Sequence, residues 1–390
     1  MTWSPEIALL LDATSIHPDE DAVLRIRQRV ERGLDWSELL RIAIPHGVLP
    51  LLSHNLSAYA ASVVPRVTLA QMQLFGKRVA DRNREQSLEL AKIISAFTRE
   101  GIRGLPFKGP ALAMAAYGDM GVRESHDLDL WVDPLQCARA SEWLREAGYH
   151  PIRHVQGVAR QVSDFGSRHG EFCSPDGRIF IELRGHLEQS ELTGFDPAFD
   201  EVWDRRGQVS LCSSEIPVLA AEDLLLGLAV HGSKHRWRRL NWIVDVAAVS
   251  SSRAGIDWEA MLTRAGEWRC LRCLLVAVAL ASTLYCIELP QVCSKPMRDL
   301  AVCSAVSYIR SSLFREQRRT IGNVSTDVLY RLQCCDSTSE RLRCTRNWLR
   351  HIVRADETRM ALPMSKNLRR VYSAVSRLRD LIGHGRVGPS

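Results

Sequence analysis

The six residues Asp127-Leu128-Asp129-Leu130-Trp131-Val132 constrain this chain more than any other stretch. Charged and apolar residues alternate and the segment then turns wholly apolar, which is the pattern of a strand entering a core. Residues two apart in a strand share a face, so Asp127 and Asp129 project together while Leu128 and Leu130 point the other way. Aligned carboxylates attract a hard divalent cation, and Mg²⁺ is normally held by one or two carboxylates together with substrate phosphates. Upstream, Leu105-Pro106-Phe107 ends in Lys108-Gly109, and Pro110 follows, where its fixed φ suits the first turn of a helix. The expected sequence of elements is strand, tight turn, helix. A helix start behind a glycine offers backbone N–H groups to an anion, and Lys108 adds a full charge beside them. A phosphate cradle next to a metal-holding pair points to a nucleoside triphosphate.

The rest of the chain reads as support for this stretch. Residues 1–98 are expected to be helices joined by short turns, with Pro45 and Pro50 as breaks. The longest helix is expected over 68–99, where Leu69, Met72, Phe75, Val79, Leu90, Ile93, Ile94 and Phe97 recur at helical spacing and Gly101 follows as a stop. Pro134 is expected to open a helix through 147, completing a βαβ-like rhythm. Strands are expected over 149–155, 161–165 and 170–173. The turn Ser174-Pro175-Asp176-Gly177 then leads into a strand over 178–184, with Ile179, Ile181 and Leu183 on one face and Glu182 and Arg184 on the other. From Pro217 the chain reads as helical again, through the apolar run 273–287. That run falls short of the roughly 20 residues that cross a bilayer and is expected to be a buried helix.

The Lys-Gly turn and the Asp-Leu-Asp strand resemble a divergent form of the DNA polymerase β-like nucleotidyltransferase superfamily, in which a Gly-Ser turn precedes an Asp-x-Asp or Asp-x-Glu strand. More narrowly, the sequence is similar to an uncharacterised bacterial nucleotidyltransferase group in which Lys-Gly replaces Gly-Ser. The residues that carry the resemblance are Gly101-Ile102, Lys108-Gly109, Ala111-Leu112, Tyr117, Arg123, Asp127 to Leu130 and Gly148-Tyr149. Flanking matches are Trp36, Ala43 and His46-Gly47-Val48 upstream, and Glu182, His231, Leu240, Asp245 and Trp258 downstream. The likeness spans roughly residues 36–290.

The resemblance implies an α+β fold: a polymerase β-like nucleotidyltransferase core with a small mixed sheet over 99–210, flanked by helical regions at 1–98 and 211–390. It implies transfer of a nucleoside monophosphate from a triphosphate such as ATP to an unidentified acceptor hydroxyl, with Mg²⁺ or Mn²⁺ as cofactor. Asp127, Asp129 and Glu182 are then the catalytic, metal-holding carboxylates. Glu182 is placed there by the resemblance; a strand glutamate paired with Arg184 is the competing reading. Lys108, Gly109, Arg123 and His231 are the expected nucleotide contacts. The Arg123 fork suits phosphate and equally suits an ion pair with one of the two aspartates. His231 and His235 share a helix face, and a histidine hydrogen-bonded near the cleft is favoured over a metal ligand. The serine of the superfamily turn is absent, so the competing function is a nucleotide-sensing or nucleic-acid-binding protein without catalysis.

Charge and cysteine usage narrow the partners. The chain carries a net +6, yet from Arg341 to Ser390 twelve Lys or Arg stand against three acids, so the remainder is slightly acidic. Such a segment suits an anionic partner, nucleic acid included, but with aromatic interleaving only at Trp348 and Tyr372 a solvated helix face is favoured. Eleven scattered cysteines without a metal-ligand pattern read as core or incidental thiols. With no basic, apolar leader in the first residues, a cytoplasmic setting is expected, with no membrane partner.

Overall fold

The computed structural model of the chain describes residues 3–155, 158–161, 169–188, 193–251, 255–315 and 321–346. Five helices lead in: α1 Pro5–Ala13, α2 Glu20–Glu31, α3 Trp36–Ala43, α4 Leu49–Tyr59 and α5 Arg66–Arg99. Ser4, Asp19 and Asp35 cap the first three by accepting the N–H of Ile7, Ala22 and Glu38, each contact stabilising by about 1 kcal/mol. Pro50 starts α4 rather than breaking it, because a proline in the first turn lacks only an N–H that has no helical partner. α5 begins at Arg66, just after Pro65, and ends where Gly101 takes φ +65°.

Next come β1 Gly104–Pro106, the short helix α6 Gly109–Leu112 continued by a π turn over Ala113–Tyr117, and β2 Asp127–Val132. α7 Cys137–Glu146 follows, then β3 His150–Val155, β4 Val158–Gln161, β5 His169–Cys173 and β6 Phe180–Arg184. These strands form one sheet in the order β1-β2-β6-β5-β3-β4. Only the β2–β6 pair is parallel. The βαβ-like rhythm is present as β2–α7–β3, with β3 parallel to β2 but separated from it by β6 and β5, and the parallel neighbour of β2 is β6. Burial explains the choice. Leu128 and Leu130 align with Ile181 and Leu183, and this apolar face closes over Ala140 and Leu144 of α7 and Ile93, Ile94 and Phe97 of α5. α7 starts at Cys137 because Asp133 Oδ1 first accepts the Leu135 N–H, holding residues 133–135 in a turn. Of the strand expected over 161–165, residues 162–168 lie outside the described residues.

After α8 Phe199–Asp204 the chain forms a hairpin, β7 Gly207–Leu211 and β8 Ser214–Val218, so helix resumes later than expected. Its two turn residues, Cys212 and Ser213, both take positive φ, 49° and 66°. Asn and Gly are the usual residues in such a turn, and without them the hairpin leaves no signal in the sequence. The remaining helices are α9 Ala221–Lys234, α10 Leu240–Ser250, α11 Trp258–Glu267, α12 Leu271–Tyr285, α13 Gln291–Ser294, α14 Leu300–Ser312 and α15 Ile321–Cys334. The protein is thus an α+β fold with a small mixed sheet and helical flanks.

The two helical flanks share one core. Leu9, Ile26 and Leu52 belong to the same buried cluster as Leu225, Val244 and Val276, and Phe107 and Trp131 join it from the sheet. The apolar run foreseen as a buried helix is α12, buried from Cys273 to Ala281. Among the described residues no helix is long and apolar enough to cross a membrane.

Candidate active site

The site begins at the turn after β1. The Phe107 N–H still bonds to the Asp129 carbonyl at 3.0 Å, extending the β1–β2 ladder, and the chain then breaks away at Lys108-Gly109. Gly109 takes φ +66°, and a Cβ there would stand 3.4 Å from both the Asp127 carbonyl oxygen and Ser125 Oγ. Glycine is favoured by the backbone conformation, while a Cβ would fit in ordinary contact. The turn delivers Lys108 Nζ to within 3.4 Å of Asp129 Oδ2.

Asp127 and Asp129 share a face of β2, as the alternation predicts, and Asp129 lies directly opposite Glu182 of β6. Ligand oxygens of Asp127, Asp129 and Glu182 all fall within 4.8 Å of one another. Glu171 of β5 is opposite Glu182 in turn, continuing the acidic row. Three carboxylate oxygens this close form a hard donor set of the kind Mg²⁺ and Mn²⁺ take.

Cations already balance this cluster. Arg184 Nη2 donates to Asp129 Oδ1 at 2.6 Å and to Glu182 Oε2. Glu182 thus lies beside the two aspartates and pairs with Arg184 as well. Burial, then the charge of Asp129, pushes the Asp127 carboxyl up to about 6 against the pull of Lys108. Burial also works to raise Asp129, but Lys108 and Arg184 more than offset it and bring that carboxyl down to about 2. Burial raises Glu182 against the pull of Arg184. Asp129 is therefore the firmly ionised member.

Arg123 pairs with neither Asp127 nor Asp129. Its Nε and Nη2 form a fork on Asp245 of α10 at 2.7 and 2.9 Å, and side-chain exposure is 7% for Arg123 and 0% for Asp245. Tyr117 Oη donates to the same carboxylate at 2.6 Å, and Arg123 Nη1 reaches the Gly109 carbonyl at 3.4 Å. Arg123 thus ties the Lys108-Gly109 turn to α10. Asn83 of α5, which sequence reasoning missed, clamps the same segment by donating to the carbonyls of Met120 and Arg123. A signal existed for Asp245: a lone acid inside the apolar run Ile243-Val244-Asp245-Val246 implies a buried partner. His126 is exposed beside Arg82, away from the carboxylates.

Glu188, also missed, gathers the remaining polar groups. It pairs with His231 Nδ1 at 2.9 Å, Lys234 Nζ at 2.6 Å and Arg184 Nη1 at 3.4 Å. Burial would raise its carboxyl, but the His231 hydrogen bond and the charges of Arg184 and Lys234 hold it well below the usual carboxylate range. Burial followed by the charge of Lys108 lowers His231. His235 ends α9 with its ring 4.7 Å from that of His231.

A small mixed sheet thus carries convergent carboxylates beside a lysine–glycine turn. The sequence matches the uncharacterised nucleotidyltransferase family over residues 32–285. The match covers well over half the chain, and the protein belongs to this family of transferases. It is similar to an antigenic nucleotidyltransferase-like protein from Paracoccidioides brasiliensis, at 12% identity and a TM-score of 0.35, over 59% of this chain and 94% of that one. No curated protein matches the sequence.

Proposed function

We propose that the chain moves a nucleoside monophosphate from a nucleoside triphosphate, with ATP as the first candidate, to an acceptor hydroxyl and releases pyrophosphate. The observation that carries this reading is the cluster of Asp127, Asp129 and Glu182 within 4.8 Å beside Lys108, in a chain of this family. These three acids would hold Mg²⁺ or Mn²⁺. The chemistry such an ion would supply there is neutralisation of the negative charge that develops on the phosphate during displacement.

The chain's own residues do the positioning. Lys108 turns from Asp129 toward the β- and γ-phosphates, and the Gly109 N–H lies next to it without side-chain crowding. Arg123 holds Gly109 in place through the carbonyl. Arg184 helps keep Asp129 ionised and orients it against Glu182. His231 lines the donor side. Residues 99–210 hold the three carboxylates and the Lys108 turn, while helices before residue 99 and the described helices after residue 210 wall the cleft and select the acceptor.

One observation favours a second reading. Arg184 already bridges Asp129 and Glu182, as it would in a nucleotide-sensing protein whose acids no longer hold a metal. The basic segment that would serve nucleic acid in that reading runs from 341 to 390, and 347–390 lie outside the described residues.

The test follows label from each α-labelled nucleoside triphosphate with Mg²⁺ or Mn²⁺ and a cell-lysate fraction as acceptor source. Label is expected on an acceptor with the wild type and not with Asp127→Asn/Asp129→Asn. Nucleotide binding without transfer, independent of added metal, would decide for the sensing reading.

A further inference from the structure

The two ring nitrogens of His231 have unlike settings. Nδ1 lies 2.9 Å from Glu188 Oε2, and the Glu188 side chain is 1% exposed. Glu188 is kept ionised by Lys234 and Arg184, so it accepts, and Nδ1 carries the hydrogen and donates it. The lone pair is then on Nε2. Among the described residues Nε2 has no hydrogen-bond partner, although the side chain is only 11% exposed.

The ring is held on several sides. Phe107 meets it edge-on at 6.4 Å, Trp242 at 5.4 Å and His235 at 4.7 Å. Lys108 Nζ lies 5.1 Å from the centroid of the same Phe107 ring and 3.4 Å from Asp129. Phe107 therefore brings imidazole and ammonium to one flank of the carboxylate cluster. An oriented imidazole with an ionised carboxylate behind it and a free nitrogen in front is built to take up and deliver a proton.

On the donor reading given above, we infer that His231 is a further catalytic residue: Nε2 takes up a proton when the triphosphate docks against Lys108 and gives it to the departing pyrophosphate. The bond formed joins the acceptor oxygen to the α-phosphorus. The bond broken joins the α-phosphorus to the α,β-bridging oxygen, which keeps the electron pair and takes the Nε2 proton. The acceptor's own proton goes to solvent, and the imidazole takes a proton from solvent again when the next triphosphate docks.

The charges that face His231 set the direction. Lys108 from the turn, Arg184 from β6, and Lys234 and His235 from the end of α9 disfavour a charged ring, while Glu188 and Asp129 favour it. In the free protein burial and Lys108 prevail. A docked triphosphate adds negative charge beside Nε2 and reverses the balance.

The experiment is calorimetry of the full chain with Mg²⁺ and the α,β-methylene analogue of ATP, in two buffers of different ionisation enthalpy at about pH 7.5. The wild type is expected to take up about one proton per nucleotide. His231→Gln is expected to bind within about tenfold of wild type with uptake abolished, and His235→Gln to retain uptake. Glu188→Gln, which keeps an acceptor for Nδ1 but removes the charge, is expected to reduce uptake and serves if His231→Gln does not fold. Binding by the wild type without uptake, or undiminished uptake in His231→Gln, overturns the inference alone. No binding by the wild type overturns the donor reading with it. For the delivery step, the loss of transfer in His231→Gln is expected to shrink with a β,γ-dihalomethylene triphosphate, whose leaving group departs without a proton. An equal loss with both donors overturns that step.

Discussion

Asp129 and Glu182 lie directly opposite each other on two parallel strands, so the backbone ladder brings the two side chains together, and Arg184 Nη2, bonded to both, orients their carboxylates. Such preorganisation lets fixed charges act on a reacting phosphate without rearrangement.

Asp127→Asn and Asp129→Asn are therefore expected to lower label transfer by roughly 10²–10³ each while far-UV circular dichroism stays that of the wild type. Both sites lie on a strand whose other face makes the core contacts, so loss of activity should not track loss of fold. Wild-type transfer by either variant would remove these carboxylates from the mechanism.

Asp245→Ala leaves the Arg123 guanidinium buried without its carboxylate. Breaking a buried pair in this way costs about 3–5 kcal/mol, to be read as a fall in the urea midpoint. Tyr117→Phe removes one hydrogen bond to the same carboxylate and is expected to cost about 1 kcal/mol. Combined with Asp245→Ala it should add little further, and full additivity would show that the three residues do not act as a unit.

His46 predicts an acid limb in stability. The Leu240 N–H points at His46 Nδ1 from 3.0 Å, which requires the neutral ring, and burial followed by the charge of Arg239 lowers the group to about 4. The unfolded chain binds this proton more readily, so the contribution is complete above about pH 6.5 and is lost as pH falls toward 4. The loss is on the order of 3 kcal/mol. His46→Asn, whose Oδ1 can accept the same N–H without titrating, should flatten this limb in thermal melts between those pH values. An unchanged limb would place its origin elsewhere.

Gly227 couples the core to the site. A Cβ there would meet Phe107 Cε2 at 2.7 Å, inside contact distance, and Phe107 is the ring that positions Lys108 and His231. Gly227→Ala is expected to cost about 1–3 kcal/mol by overpacking and to weaken nucleotide binding as well. Destabilisation with unaltered affinity would show that Phe107 moves without carrying Lys108.

Much of the site was legible because its rules are local. Alternation of two apolar and two acidic residues put Asp127 and Asp129 on one face, and Lys-Gly-Pro marked the turn that brings Lys108 to them. Glu182 was reachable from its place in the order of elements. The partner of Arg123 was not, since nothing in the loop that holds it refers to α10. Glu188 was missed because it follows a strand in an irregular segment, and its meaning comes from α9. The β7–β8 hairpin was missed because Cys212 and Ser213 adopt a backbone that their side chains do not advertise.

The sequence by itself determined the helices, the phosphate turn and the sidedness of β2, because periodicity, capping and glycine conformation act over a few residues. The tertiary structure decided which strand stands beside β2, that Arg123 serves Asp245, and that Lys108, His231 and Glu188 meet at one flank of the site. It also merged the first helices and the last into a common core. Those outcomes depend on burying apolar faces and buried charges against partners far away in the chain, and a one-dimensional pattern does not say which of several suitable faces will meet.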